Sequence, residues 1–188
     1  MVIAIKEHDR IIVGTTICDS FFDISEKDLA LADNMPWWKV KGNDDCYVFA
    51  EDLNYSTDLL RFSDIFKGVT NSSSIITEVV PKMKELLGKH SRIINGDEWD
   101  SQLLIVKGNK MYVIGRYFTV SEQDTYACLG FENYMYGCLE EINSKGYEVS
   151  LTDKVVNALR YFNAIRNRNY FPLTTFNTAT KKRKVFFK

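Results

Sequence analysis

The strongest constraint on this chain is an apolar ribbon at its front. Val2 to Lys6 is apolar and partly β-branched, "EHDR" (7–10) is a polar turn, and Ile11-Ile12-Val13 is apolar again. That pattern reads as a β-hairpin opening at residue 2, and any fold for the chain has to accommodate it.

The remaining segments alternate between strand pairs and helix pairs. Residues 19–35 are mixed and read as loop. Trp37 to Lys41 and Cys46 to Ala50 flank Gly42-Asn43-Asp44-Asp45, a second hairpin with turn chemistry between its arms. Leu59, Leu60, Phe62, Ile65 and Phe66 recur at helical spacing, with Ser56 or Thr57 as cap and Gly68 as stop. A second helix starts near Ser73 or Ser74 and ends at Gly88, with Ile75, Ile76, Val79, Val80, Met83, Leu86 and Leu87 on its apolar face. Pro81 inside it predicts a kink or a break. Residues 95–100, "NGDEWD", read as a turn or mobile loop. Leu103 to Val106 and Met111 to Ile114 around Lys107-Gly108-Asn109-Lys110 make a third hairpin. Phe118 to Val120 and Tyr126 to Leu129 add short strands. Helices over about 132–144 and about 152–166, the latter capped by Thr152, precede a closing strand over 170–178. Strand runs followed by helix pairs, without βαβ alternation, predict an α+β fold in layers.

The 188 residues suffice for one domain over 1–188, with a basic segment at 179–188. A formal charge of −1, from 24 basic and 25 acidic residues, supplies no broad field for nucleic acid or anionic lipid. Lys181-Lys182-Arg183-Lys184 reads as a solvated run, with a localisation signal or a phosphate contact as alternatives. The four cysteines contain no CxxC pair, and His8 and His90 are far apart, so zinc-ligand spacing is absent and no cofactor is called for. The opening stretch is too short and too interrupted for a signal peptide, and no apolar run reaches the ~18 residues that span a membrane. A reduced, cytoplasmic setting is expected.

Four stretches carry a resemblance: "VIAIKEHDRIIVG", "PWWKVKGNDDCYVFAE", "LGFENYMYGCLEE" with Tyr134, Gly137 and Leu139, and "ALRYFNAIRNRNYFPLTTFNT". Their order resembles the proteasome β-subunit fold of the N-terminal-nucleophile hydrolases, and small bacterial and phage proteasome-like proteins in particular. The resemblance implies a four-layer αββα sandwich. It also implies a nucleophilic Thr, Ser or Cys at the head of the first strand, whose own α-amine takes the proton, tuned by a lysine and an aspartate.

Carried over residue by residue, the nucleophile position falls on Val2, which has no hydroxyl or thiol. Thr15 and Thr16 follow Gly14 where the family has its acidic residue; Asp19 comes later and needs a bulge to serve. The lysine falls on Trp37 or Lys39, according to where the gap is placed. The family's GSG turn has become Leu129-Gly130-Phe131. "VGTTIC" (13–18) looks like a self-processing junction that would free Thr15. However, the hairpin that the fold needs lies before that threonine, so Thr15 and Thr16 read as a strand end. Cys18 and Cys46 read as small buried apolar residues, and Arg160, Arg166 and Arg168 as a solvated helix end. Asp44-Asp45 and Asp97-Glu98 read as turn residues. Trp37 and Trp38 are candidates for an interface or binding role, because adjacent strand residues face opposite ways.

The expectation is a proteasome-like protein that has lost its threonine nucleophile and acts by assembly or binding, as a homo-oligomer that could form a ring. Two alternatives stand: an active threonine peptidase or amidohydrolase of this type, and a regulator that joins or inhibits a host protease complex.

Overall fold

The computed structural model describes residues 1–16, 36–130, 132–144, 149–165 and 173–186. The opening ribbon consists of β1 (Val2–Glu7) and β2 (Arg10–Thr16), joined by a tight turn in which His8 takes φ 57°. β3 (Trp37–Lys39) and β4 (Cys46–Ala50) form the second hairpin. Helix α1 (Tyr55–Arg61) is followed by a 3-10 turn at Ile65–Gly68. Helix α2 is continuous through Ser72–Ser74, a π turn at Ile75–Val79, and Val80–Lys89. A two-stranded ribbon, β5 (Ile93–Ile94) with β6 (Glu98–Trp99), leads to β7 (Leu103–Lys107) and β8 (Lys110–Ile114). Then come β9 (Val120–Gln123), β10 (Tyr126–Leu129), α3 (Glu132–Ser144), α4 (Leu151–Ile165), β11 (Leu173–Asn177) and β12 (Lys182–Phe186).

Among the described residues the strands form two five-stranded sheets. Sheet A runs β10-β1-β2-β11-β12 and sheet B runs β3-β4-β7-β8-β9, with every pairing antiparallel. Alternation along the strands then dictates three apolar layers. Val2, Ala4, Ile11 and Val13 point from sheet A to Tyr47, Phe49, Leu104 and Val106 of sheet B. Ile3, Ile5 and Ile12 point the other way, into Met135, Leu139, Val155 and Leu159 of α3 and α4. Val48, Leu103 and Ile105 point from the far side of sheet B into Leu60, Ile75, Met83 and Leu87 of α1 and α2. The architecture is therefore the four-layer αββα sandwich of an α+β fold.

Gly14 sets how closely α4 approaches sheet A. A Cβ at this position would lie 2.3 Å from Val155 Cγ1 and 2.9 Å from Leu159 Cδ1. The glycine of the VGTT stretch is thus accounted for by helix packing.

Several local expectations are corrected. Asn54, not Ser56 or Thr57, caps α1: its side chain accepts from Thr57 N–H, and the Thr57 hydroxyl accepts in return from Asn54 N–H. Asn71 caps α2 in the same way through Ser74. The first helix ends at Arg61, which leaves Phe62 84% exposed instead of on the apolar face; Ile76 is also exposed, while Val80 and Leu86 are half-buried. Pro81 breaks nothing, because the preceding turn widens to π geometry, with Val80 N–H donating to Ile75 C=O. The helix passes through Gly88 to Lys89. Residues 95–100 belong to the β5–β6 ribbon, and the strand expected at Phe118 starts at Val120, since Phe118 takes φ 58°. Ser150, not Thr152, caps α4: its hydroxyl oxygen accepts from Asp153 N–H. The basic run extends into β12 and is paired with β11, so it is not merely a solvated tail. The loop reading of 19–35 lies outside the described residues.

Because Gly14 leaves no room for a methyl group, Gly14→Ala should destabilise the fold by about 1–3 kcal/mol. Combining it with Val155→Ala should cost less than the sum of the two single changes. Denaturant unfolding of the four proteins checks this, and strict additivity would contradict the packing assignment.

Candidate functional site

The loops at one end of the sandwich bring together residues that are remote in sequence. β1 starts there and β2 ends there, so Thr16 N–H donates to Met1 C=O at 3.3 Å and the α-amine of Met1 lies 3.4 Å from Thr16 Oγ1. The same amine donates to Glu51 C=O at 3.1 Å. Glu51 follows β4 directly, and its N–H donates to Gln102 C=O just before β7. Arg116, just past β8, reaches both Glu51 carboxylate oxygens through Nη2, at 3.1 and 3.2 Å. Gly130, just past β10, takes φ 79°, and a Cβ there would sit 3.1 Å from Glu51 Oε1. Only glycine meets both the conformation and the approach.

Glu51 is the electrostatic centre of this cluster. Its side chain is 10% exposed, whereas that of Arg116 is 43% exposed. Burial pushes the Glu51 carboxyl above its ordinary range, and the Arg116 guanidinium partly opposes this. The pair is therefore a partly desolvated clasp between the loop after β4 and the loop after β8.

The residues singled out from the sequence are spread across the fold. Val2 is wholly buried between the sheets and pairs with Thr15 on one side and Leu129 on the other. Thr15 is internal to β2 and 1% exposed, and its hydroxyl is 2.6 Å from that of Thr174. Thr16 is the one of these residues that the structure brings to the cluster. Lys39 pairs with Tyr47, four residues before Glu51, which places it about 13 Å away along β4. It is exposed and bonds Asp44 across the β3–β4 turn at 2.6 Å. Asp19 and Cys18 lie outside the described residues, as do Arg166 and Arg168.

Neither tryptophan points to solvent, because sheet B is covered on both faces. Trp38 packs against Phe66 in the helix layer, while half-buried Trp37 sits 4.6 Å from Phe176 and 6.0 Å from Phe49 between the sheets. Cys46 is fully buried, and burial pushes its thiol up to about 12, so it holds no thiolate at neutral pH. Asp44 and Asp45 carry ion pairs to Lys39 and Lys107. Among the described residues no group of three or more His, Cys, Asp or Glu side chains is placed to hold a metal ion. No helix among them is long and apolar enough to cross a membrane. Glu51 and Arg116 escaped sequence reading, since each stands alone after a strand and only the sheet register joins them.

No protein-family model and no curated protein matches the chain. Solved structures do. BPH from Thiobacillus denitrificans superposes with TM-score 0.68 at 13% identity over 94% of this chain and 96% of that one. Its complex with epoxomicin gives 0.67 at 16% identity over the same shares. The eukaryotic HslV of Trypanosoma brucei gives 0.63 at 9% identity, over 94% of this chain and 97% of that one. Anbu, an ancestral β-subunit from Yersinia bercovieri, gives 0.64 at 13% identity, over 100% and 87%. The chain thus has the proteasome β-subunit-like fold of the N-terminal-nucleophile hydrolases.

Glu51 gives a pH signature of known sign. A raised folded-state pKa means that the native protein holds this proton more tightly than the unfolded chain. Between the ordinary glutamate value of about 4.3 and the higher folded value, the unfolded state binds fewer protons and stability falls as pH rises. The wild type should therefore lose stability relative to Glu51→Gln as pH climbs from below about 4 to neutrality. Urea unfolding of both proteins across that range checks it, and an opposite slope would contradict the desolvation.

Proposed function

We propose that this chain is a proteasome-like subunit that works by assembly and binding, without an N-terminal threonine peptidase centre. The chemistry of that centre requires a hydroxyl or thiol on a residue whose own α-amine is free, since an amine with a pKa near ~8 accepts the proton. The observation that carries the reading is that none of the residues from Met1 to Glu7, the strand that would have to lead with such a group, is Ser, Thr or Cys.

The placement of the other candidates supports the same reading. Thr15 is flanked in the sheet by Val2 and Thr174, and a cut before it would split β2 itself in the interior of sheet A. Lys39 is engaged with Asp44 away from the cluster. The α-amine of Met1 is held by the Glu51 backbone carbonyl. One observation favours the active alternative: the 3.4 Å between the Met1 amine and Thr16 Oγ1 places an amine beside a hydroxyl, although on different residues.

Self-association follows from the fold as part of this proposal, with a ring as the form the proteasome-like architecture suggests. Insertion into a host protease complex is the alternative partner. A cytoplasmic setting completes the reading, and the buried, free thiols of Cys46 and Cys138 are compatible with it.

Native and intact mass spectrometry should find an oligomer whose subunits keep β1 and gain no mass with epoxomicin, and fluorogenic peptides should not be turned over. A covalent epoxomicin adduct, or turnover abolished by Thr16→Val, would sink the proposal in favour of the active alternative.

A further inference from the structure

β9 departs from the pattern that the rest of sheet B keeps. Ser121 pairs with Val113 and Gln123 pairs with Met111. Cross-strand partners point to the same face, and Met111 belongs to the core between the sheets, with Val113 packed against that core. Exposed Ser121 and half-buried Gln123 therefore place a hydroxyl and a carboxamide on the inter-sheet face, at the edge where it opens to solvent. The apolar layer ends at Val113 and gives way to a cavity of about 310 Å³, which Gln102, Arg116 and Tyr117 help to line.

We propose that this cavity binds a small neutral polyhydroxylated molecule of monosaccharide size. Its volume lies at the lower end of ligand pockets, which suits a small ligand. Neutrality follows from Arg116, a charged side chain of the wall whose charge Glu51 already offsets. Its Nη2 is already engaged with both oxygens of Glu51, and Nη2 belongs to both bidentate edges of a guanidinium. The Nε–H and the two Nη1–H groups remain as donors and suit hydroxyl oxygens, while the guanidinium charge is already offset by Glu51. A further anion would also stand beside a carboxylate that burial already disfavours as an anion.

The other groups alternate donor and acceptor. Gln123 Nε2 donates to Ser121 Oγ at 2.8 Å, which leaves the serine proton and the Gln123 amide oxygen for a ligand. Among the described residues the amide oxygen of Gln102 has no hydrogen-bond partner. A hydroxyl group donates and accepts through one atom and so matches such a wall. Tyr117, 64% exposed, offers a ring face to the apolar side of a sugar. This site does not depend on whether the chain cleaves peptides.

The test is an amide-resolved NMR titration of the full chain with D-glucose, D-galactose and myo-inositol. N-acetylglycine methylamide and N-acetylglycine serve as the neutral-amide and carboxylate comparisons. At least one polyol should bind with a dissociation constant of about 1 mM or tighter and shift the amides of Gly115, Ser121 and Gln123. Ser121→Ala and Gln123→Leu, both on an edge strand, should each weaken it about tenfold with spectra that otherwise stay native. The proposal is overturned if none of the three polyols shifts these amides, if either comparison compound binds more tightly, or if both variants bind unchanged.

Discussion

The structure depends on β1 lying between β10 and β2 with both of its faces covered. A strand paired on both sides has its backbone donors and acceptors satisfied within the sheet. Its side chains feed two cores at once: Val2 and Ala4 face sheet B, and Ile3 and Ile5 face α3 and α4. Burying each large aliphatic side chain is worth roughly 1.5–3 kcal/mol relative to exposure. Removing or exposing this strand would therefore open the inter-sheet layer and the helix layer together. Gly14 on β2 adds a steric condition, since α4 can lie this close only where no Cβ intervenes.

Burial of the strand dictates where chemistry can occur. β1 carries no hydroxyl or thiol, so such groups have to come from the loops at its end. Loops positioned by a rigid scaffold are the usual place for function. Here Glu51, Arg116 and Gly130 arrive from three different strand ends and close around the start of β1. The clasp they form is only partly desolvated, because Arg116 is far more exposed than Glu51. Beyond it, the change from Met111 and Val113 on β8 to Gln123 and Ser121 on β9 turns a dry layer into a polar cavity.

The hairpins were legible because alternation and turn residues act locally: Gly42 to Asp45 between β3 and β4, and Gly108-Asn109 between β7 and β8. The layer order was legible as well, from the sequence of strand pairs and helix pairs and from the resemblance. Helix starts were misread where the capping residue stands upstream of the serine or threonine run, as Asn54 and Asn71 do. Pro81 misled because a π turn absorbs its missing donor, which periodicity alone does not reveal. β12 was hidden by its lysines, which suit an edge strand as well as a solvated tail. Both tryptophans were expected to diverge, one inward and one outward. They do diverge, but a sandwich covers both faces of an edge strand. Glu51 and Arg116 had no local signal, since their meeting is a consequence of strand register across 65 residues.

Hydrogen exchange of the native protein, followed through the peptide covering residues 1–7, tests the placement of β1 most directly. Our account predicts that Ile3 to Lys6 exchange only through global unfolding, as slowly as the slowest strands of sheet B. Exchange at the rate of a frayed terminus, or loss of this peptide from the mature protein, would contradict it.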